Sequence, residues 1–139
     1  MHIVKAFALA VLMLALAVCL ADTAEAATDW DGGRIRAEGT GIAPARTVSA
    51  AQARALARRA AIADAYRQLA EQIQGVAVDA STTVEDMMVT NDSVRTHVSA
   101  LVRGARIVEE KALRDGAYTV TLEVPVFGVS SLAGSVFTL

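Results

Sequence analysis

The sequence predicts an α+β fold, in which a small antiparallel sheet of about four strands packs against one long helix. Three observations predict it. Apolar residues alternate with polar ones in several short stretches, an uninterrupted alanine-rich stretch has helical periodicity, and Asp115-Gly116 is typical of a hairpin turn. The predicted order is strand, long helix, strand, short helix, strand, strand.

The chain begins with a segment that has the features of a secretory signal peptide. Lys5 precedes an unbroken apolar run over residues 6–21, and the small-residue pattern of Ala24 and Ala26 follows. A basic start, an apolar run and such a cleavage pattern, in this order, are typical of signal peptides. The run is also shorter than the roughly 20 apolar residues that a membrane-spanning helix needs. We therefore expect a signal peptide over residues 1–26.

Cleavage between Ala26 and Ala27 would leave residues 27–139, which suffice for a single domain with its own core. These residues contain no cysteine and one acidic residue more than basic ones. No disulfide can therefore support the fold. A nearly balanced charge does not attract nucleic acid over long distances, so a nucleic-acid partner is not expected.

Cys19 raises a second possibility for the N-terminus, because bacterial lipoproteins carry a lipid on a cysteine that follows the apolar run. The lipidating enzymes accept a small residue immediately before this cysteine, whereas Val18 is β-branched. A free cysteine also behaves as a small apolar residue in such a run. We therefore favour cleavage after Ala26 over lipidation of Cys19.

The first strand is predicted in the stretch RIRAEGTGIAP. Ile35, Ala37, Gly39 and Gly41 alternate there with polar residues, which is the period of a half-buried strand. Two glycines on the inner face indicate that another element approaches the backbone closely.

A long helix is predicted from Ser49 to Gly75. Ser49 and Gln52 form a capping box, Gly75 suits the C-terminal end, and alanine, the best helix former, is abundant. Asp64 and Glu71 are expected to face solvent. The expected apolar stripe consists of Ile62, Tyr66, Leu69 and Ile73, extended by Ala55 and Ala63.

The middle of the chain alternates again over residues 76–84, which predicts a second strand. A polar, irregular segment is expected over residues 85–92. A short helix then begins at Asn91 or Asp92 and ends at Gly104. Its expected apolar stripe consists of Val94, Val98, Leu101 and Val102.

A hairpin is predicted over residues 105–128. Pro125 indicates an edge strand or the end of a strand, because proline cannot donate a ladder hydrogen bond. The apolar segment 129–139 predicts a short terminal helix. The residues that alternate in the last strand are Tyr118, Val120, Leu122, Val124 and Val126.

These elements in this order resemble the LPP-twenty-type outer-membrane lipoprotein family. The stretches that carry the resemblance are EGTGIAP, ARALARRAAIADAYRQLAEQIQGV, VAVDASTTV, LVRGARIVEE and DGAYTVTLEVPVFG, and they cover roughly residues 34–133. The resemblance implies a small, non-enzymatic bacterial envelope protein in the periplasm or at the outer membrane. Members are often lipidated and often assemble with themselves or with larger structures, including flagellar ones.

Few residues have the chemistry for catalysis or metal binding. His97 is expected at the boundary between core and solvent, and with Met87 and Met88 it could form a soft-ligand metal site. Adjacent residues of an extended segment point in opposite directions, which argues against such a site. No nucleophile motif is present, so neither an enzyme nor a cofactor is expected.

We therefore expect an exported protein that acts by association with envelope proteins or with itself, through the exposed edge of the strand 117–127. A membrane contact is expected only if Cys19 is lipidated. The alternative is a periplasmic module that binds a small ligand or a metal, and a pocket lined by His97 and the two methionines would favour it.

Overall fold

The computed structural model describes residues 33–46, 49–128 and 130–137. The elements are β1 (Arg34–Ile42), α1 (Ala50–Gln74), α2 (Val84–Thr90), α3 (Asp92–Arg103), β2 (Arg106–Ala112), β3 (Ala117–Pro125) and α4 (Leu132–Phe137). They confirm the α+β class, the long helix, the hairpin and the terminal helix. None of the helices in the described part of the chain combines the length and the apolar character that crossing a bilayer requires.

The sheet contains three antiparallel strands in the order β1-β3-β2. β3 pairs with β1 over its full length, with Arg34 opposite Pro125. It pairs with β2 through a register shift between Ile107 and Glu109. Gly116 takes a φ of 85° in the turn between β2 and β3, a conformation that favours glycine. The predicted Asp-Gly turn is thus confirmed.

The predicted strand over residues 76–84 is wrong, and the described sheet has three strands instead of about four. An isolated bridge joins Ala77 to Thr83. Between them the Asp79 carboxylate accepts a hydrogen bond from the Ser81 N–H at 2.8 Å, which turns the chain sharply. The alternating residues therefore form a tight loop that returns on itself and does not extend to the sheet.

The predicted edge position of the last strand is also wrong. β3 lies in the centre of the sheet, with β1 and β2 on its two sides. β2 begins opposite Glu123, so Pro125 at the end of β3 has a paired neighbour on the β1 side alone. Pro125 therefore marks the end of a strand and not an edge strand, so the second of its two predicted positions is confirmed.

The segment after residue 83 forms the helix α2 and is not irregular as expected. The Thr83 hydroxyl accepts a hydrogen bond from the Asp86 N–H, and the Asp86 carboxylate accepts one from the Thr83 N–H. This reciprocal capping box satisfies two free amides at the start of the helix. The following helix α3 is confirmed, with Asn91 as its N-cap and Gly104 at its C-terminal end.

The long helix α1 begins after Ser49, whose hydroxyl accepts a hydrogen bond from the Gln52 N–H at 3.1 Å, and it ends at Gly75. It does not pack by the expected stripe. Ile62 and Tyr66 are only half-buried, while Ala55 and Ala63 are exposed. The buried residues of α1 recur every four positions: Ala57, Ala61, Ala65, Leu69 and Ile73.

The glycines of β1 explain why the small residues of α1 face inward. A Cβ atom added to Gly39 would lie 2.1 Å from the Ala65 nitrogen, and one added to Gly41 would lie 2.1 Å from the Ala57 oxygen. The backbones of strand and helix are therefore in direct contact, and only small residues fit between them. The predicted close approach at these glycines is confirmed.

The hydrophobic core fills the space between one face of the sheet and the helices, and the opposite face of the sheet is polar. Leu69 and Ile73 of α1 belong to the core, as expected. The remaining core is contributed by every other element except β2, through residues that include Ile35, Val84, Val94, Val98, Val120, Leu122, Val124, Leu132 and Val136.

Candidate functional site

The two edges of the sheet differ in how they are covered. β2 is exposed along its entire length, and among the described residues no strand pairs with its outer edge. Ile107, Val108 and the adjacent Leu113 are 41–43% exposed, which is unusual for large apolar side chains near a sheet. An open edge of this kind offers unpaired backbone groups to another chain.

A side chain of α1 occupies one backbone amide of β1. The Thr40 N–H, which points away from β3, donates a hydrogen bond to the Asp64 carboxylate at 3.1 Å. Hydrogen bonds from Arg67, from the Thr40 N–H and from Gln68 hold the pKa of Asp64 below its usual range. Asp64 does not simply face solvent as expected, because the close contact of helix and strand brings it to the strand edge.

An ion pair between α1 and β2 fixes the open strand in place. Arg58 donates two hydrogen bonds to Glu110, from Nε at 2.8 Å and from Nη2 at 2.6 Å. The Tyr118 hydroxyl donates a third at 2.9 Å. These hydrogen bonds, with that of Arg58 first, lower the pKa of Glu110. A bidentate arginine–carboxylate pair has a specific geometry, so this pair holds β2 in a defined position relative to α1.

On the polar face of the sheet, one carboxylate is surrounded by three arginines. Glu123 of β3 lies opposite Arg36 of β1 on one side and opposite Arg106 of β2 on the other. Its Oε2 accepts from Arg36 Nε at 2.8 Å, and its Oε1 lies 3.3 Å from Arg34 Nη1 and 3.5 Å from Arg106 Nη2. Glu123 is only 5% exposed, because the arginine stems cover it.

The arginines around Glu123 favour its ionised form, although the carboxylate is buried. Burial alone would raise its pKa, but the hydrogen bond from Arg36 and the charges of Arg34, Arg36 and Arg106 outweigh that effect. The pKa of Glu123 therefore lies below its usual range. Arg34 and Arg106 share this one carboxylate, which leaves an excess of positive charge beside it.

A cleft of about 660 Å³ lies beside this cluster, where β3 extends beyond the start of β2. Its volume is within the range of small-molecule sites. The C-terminal end of α3 and the helix α4 form its other walls. The polar residues that line it are Arg34, His97, Arg106, Glu123, Ser130 and Ser135.

Glu123→Gln is expected to lower the free energy of unfolding at pH 7 by about 1–2 kcal/mol. A carboxyl with a pKa below its unfolded value stabilises the fold above the unfolded pKa, near 4.5, and this contribution is lost as the pH falls through the folded pKa. The variant should therefore lose less stability than the wild type between pH 7 and pH 3. Urea unfolding at both pH values measures the difference.

The matched control is Glu71→Gln on the exposed side of α1, where the carboxylate contacts Arg67. Exposed pairs of this kind contribute little, so its acid dependence should follow that of the wild type. Identical pH profiles for the two variants would contradict a stabilising role of the Glu123 carboxylate.

The weak candidates for a metal site, His97, Met87 and Met88, do not line the same cleft. Met87 and Met88 lie on α2, half-buried and packed against the core, whereas His97 is exposed on α3 and lines the cleft. No group of three or more histidine, cysteine, aspartate or glutamate side chains in the described part of the chain is placed to hold a metal ion. The predicted cleavage residues Ala26 and Ala27, and Cys19, at which lipidation was possible but disfavoured, lie outside the described residues.

The sequence analysis missed Glu123 and its arginines. The only signal was the alternation that puts Arg34 and Arg36 on the same face of β1 as Glu123 on β3, and this became informative once the strand order was known. The position of Arg106 opposite Glu123 depends likewise on β2 being the neighbour of β3.

A comparison with known protein families gives one result that covers most of the domain. The family model described as LPP20 lipoprotein matches residues 37–125, from within β1 to the last residue of β3. The match thus contains most of the sheet, α1 and both helices that follow it. No curated protein matches this chain.

Proposed function

Because the chain belongs to the LPP20 lipoprotein family, we propose that it is an exported, non-enzymatic component of the bacterial envelope that acts by binding protein partners. The family is not an enzyme family by name. The observation that carries the proposal is the open edge of β2, since proteins normally cover or shorten a strand edge of this kind.

The sequence of β2 is complementary to itself in an antiparallel arrangement. When two copies of β2 align about a two-fold axis at Glu110, Glu109 of each copy lies opposite Lys111 of the other, and Val108 lies opposite Ala112. Opposite charges and apolar pairs across strands both stabilise a sheet. We therefore propose that a second copy of this chain is the first partner.

Glu110 itself would face its counterpart across the two-fold axis. Two carboxylates in direct opposition repel each other, but each Glu110 already receives two hydrogen bonds from Arg58 and one from Tyr118. The two Arg58 side chains compensate the charge at the centre of the interface. The charged residues of β2 also make the edge selective, because a strand that places a like charge opposite Glu109 or Lys111 would be repelled.

Two charge reversals test this arrangement. Lys111→Glu places glutamate opposite glutamate, and Glu109→Lys places lysine opposite lysine, so each variant alone should associate at least about tenfold more weakly than the wild type. A mixture of the two variants restores both opposite pairs and should associate again. Sedimentation velocity over a range of concentrations measures all three samples.

Glu85→Lys is the matched control, because it reverses the charge of an exposed residue on α2, outside the sheet. It should associate as the wild type does. A wild-type protein that stays monomeric at high concentration would exclude self-pairing, and recovery of other proteins from envelope extracts would then identify a different partner. Flagellar components among them would support the flagellar role that the resemblance implied.

We further propose that the exported protein begins at Ala27 and carries no lipid. The small residues Ala24 and Ala26 support cleavage at this point, and Val18 opposes modification of Cys19. The name of the family, which describes lipoproteins, supports the opposite outcome. The intact mass of the exported protein is expected to equal that of residues 27–139, and a diacylglyceryl group on an N-terminal Cys19 would contradict the proposal.

The alternative function, a module that binds a small ligand, is supported by the cleft beside Glu123. The cleft contains His97 but neither methionine, so its chemistry favours an anion over a soft metal.

A further inference from the structure

The cleft beside Glu123 combines space with uncompensated positive charge. Arg34 and Arg106 line it, and both share their single carboxylate partner, Glu123, with Arg36. Glu123 is the one acidic residue among the described residues that line the cleft. One carboxylate cannot neutralise both Arg34 and Arg106, so the wall of the cleft can accept a further anion.

The donors of the cleft come from different elements and different directions. Arg34 projects from β1 and Arg106 from β2, His97 lies on α3, and Ser130 precedes α4. The Arg106 side chain is 73% exposed and its contact with Glu123 is long, at 3.5 Å, so it can turn toward a ligand without disrupting the cluster. Ser135 is already engaged, because its hydroxyl donates to the Ser131 carbonyl at 2.9 Å.

We propose that this cleft binds a phosphate group, with Arg34 and Arg106 as the ligating cations. A phosphate carries more negative charge than a carboxylate and presents three or more oxygens, so it can accept hydrogen bonds from several cationic and neutral donors at once. The guanidinium, imidazole and hydroxyl groups around this open cleft fit a phosphate, because they approach it from several sides. This proposal deepens the alternative function and does not depend on pairing through β2.

The phosphate has two possible sources, a soluble phosphate compound or the headgroup of a lipid. Calorimetric titration of the exported protein with inorganic phosphate and with pyrophosphate, at constant ionic strength, tests the first. Flotation with phosphatidylglycerol vesicles, against phosphatidylcholine vesicles, tests the second. The proposal requires that at least one of these anionic probes binds.

Arg106→Gln is the decisive variant, because it removes one ligating cation and leaves Glu123 with Arg34 and Arg36. We expect it to weaken binding of the phosphate probe by about tenfold or more. Arg114→Gln, at the hairpin turn and outside the cleft, removes the same charge and should bind as the wild type does. Circular dichroism and thermal unfolding of both variants verify that each is folded.

Each outcome decides the proposal. Binding that Arg106→Gln weakens and Arg114→Gln preserves supports it, and the probe that binds identifies the source of the phosphate. Absence of binding to all anionic probes overturns it. An equal loss in both variants also overturns it, because it would reflect the overall charge of the protein and not the cleft. Sedimentation of the β2 variants is independent of these results, so the association proposal can fail or hold separately.

Discussion

Gly39→Ala is expected to lower the free energy of unfolding by about 3 kcal/mol or more. The added methyl group would lie 2.1 Å from the Ala65 nitrogen and 2.4 Å from the Ala61 oxygen. Both are backbone atoms of a long helix, so no side chain can turn away to make room. The whole of α1 would have to move outward, and its buried face would lose its packing against the sheet. Urea unfolding followed by circular dichroism measures the loss.

Gly75→Ala is the matched control, since it makes the same chemical change at a glycine with room for it. The backbone at Gly75 is helical, with a φ of −75°, and the nearest atom to an added Cβ is the Glu71 oxygen at 3.5 Å. Alanine at such a site restricts the unfolded chain and leaves stability unchanged or slightly higher. If both glycines tolerated alanine equally, strand and helix could not be in the close contact described above.

Leu69→Ala is expected to cost about 2–5 kcal/mol of stability. Leu69 is fully buried, in the same row of α1 as Ala65 and Ile73, and it is the first large side chain after three alanines in that row. Truncation would leave a cavity in the core between the helix and the sheet. The free energy of unfolding in urea measures this cost directly.

Glu71→Ala provides the comparison within the same helix. The carboxylate is exposed and pairs with Arg67 four residues earlier, an interaction that contributes about 0.5 kcal/mol or less. The variant should therefore stay within about 0.5 kcal/mol of the wild type. Similar losses at both positions would mean that a different face of α1 packs on the sheet.

The elements that sequence analysis predicted well are those that local interactions determine. Ser49 and Asn91 begin their helices and Gly104 ends α3, as expected, because a helix cap is formed within a few residues of the chain. The Asp-Gly turn was also predicted correctly, because the turn is determined by adjacent residues. Residues 76–84 show the limit of alternation, since a period of two fits a strand and equally fits a tight loop stabilised by Asp79.

What the sequence could not provide depends on contacts between distant segments. The inward face of α1 was misplaced because periodicity favours large apolar residues such as Ile62, whereas the glycines of β1 select the alanines. β3 was assigned to an edge because Pro125 fits an edge as well as a strand end. The candidate cleft was missed for the same reason, since its charges come from three strands whose order only the structure gives.

The hydrogen bond from the Thr40 amide to Asp64 has a consequence for the size of any assembly built from this domain. Asp64 already accepts the hydrogen bond of the Thr40 amide, so a strand added at the β1 edge would have to displace it, whereas the β2 edge is open. In the proposed pairing, two molecules joined through β2 form a continuous six-stranded sheet with a β1 strand at each edge. We therefore expect the assembly to stop at two copies, because further growth would have to displace Asp64 at a β1 edge.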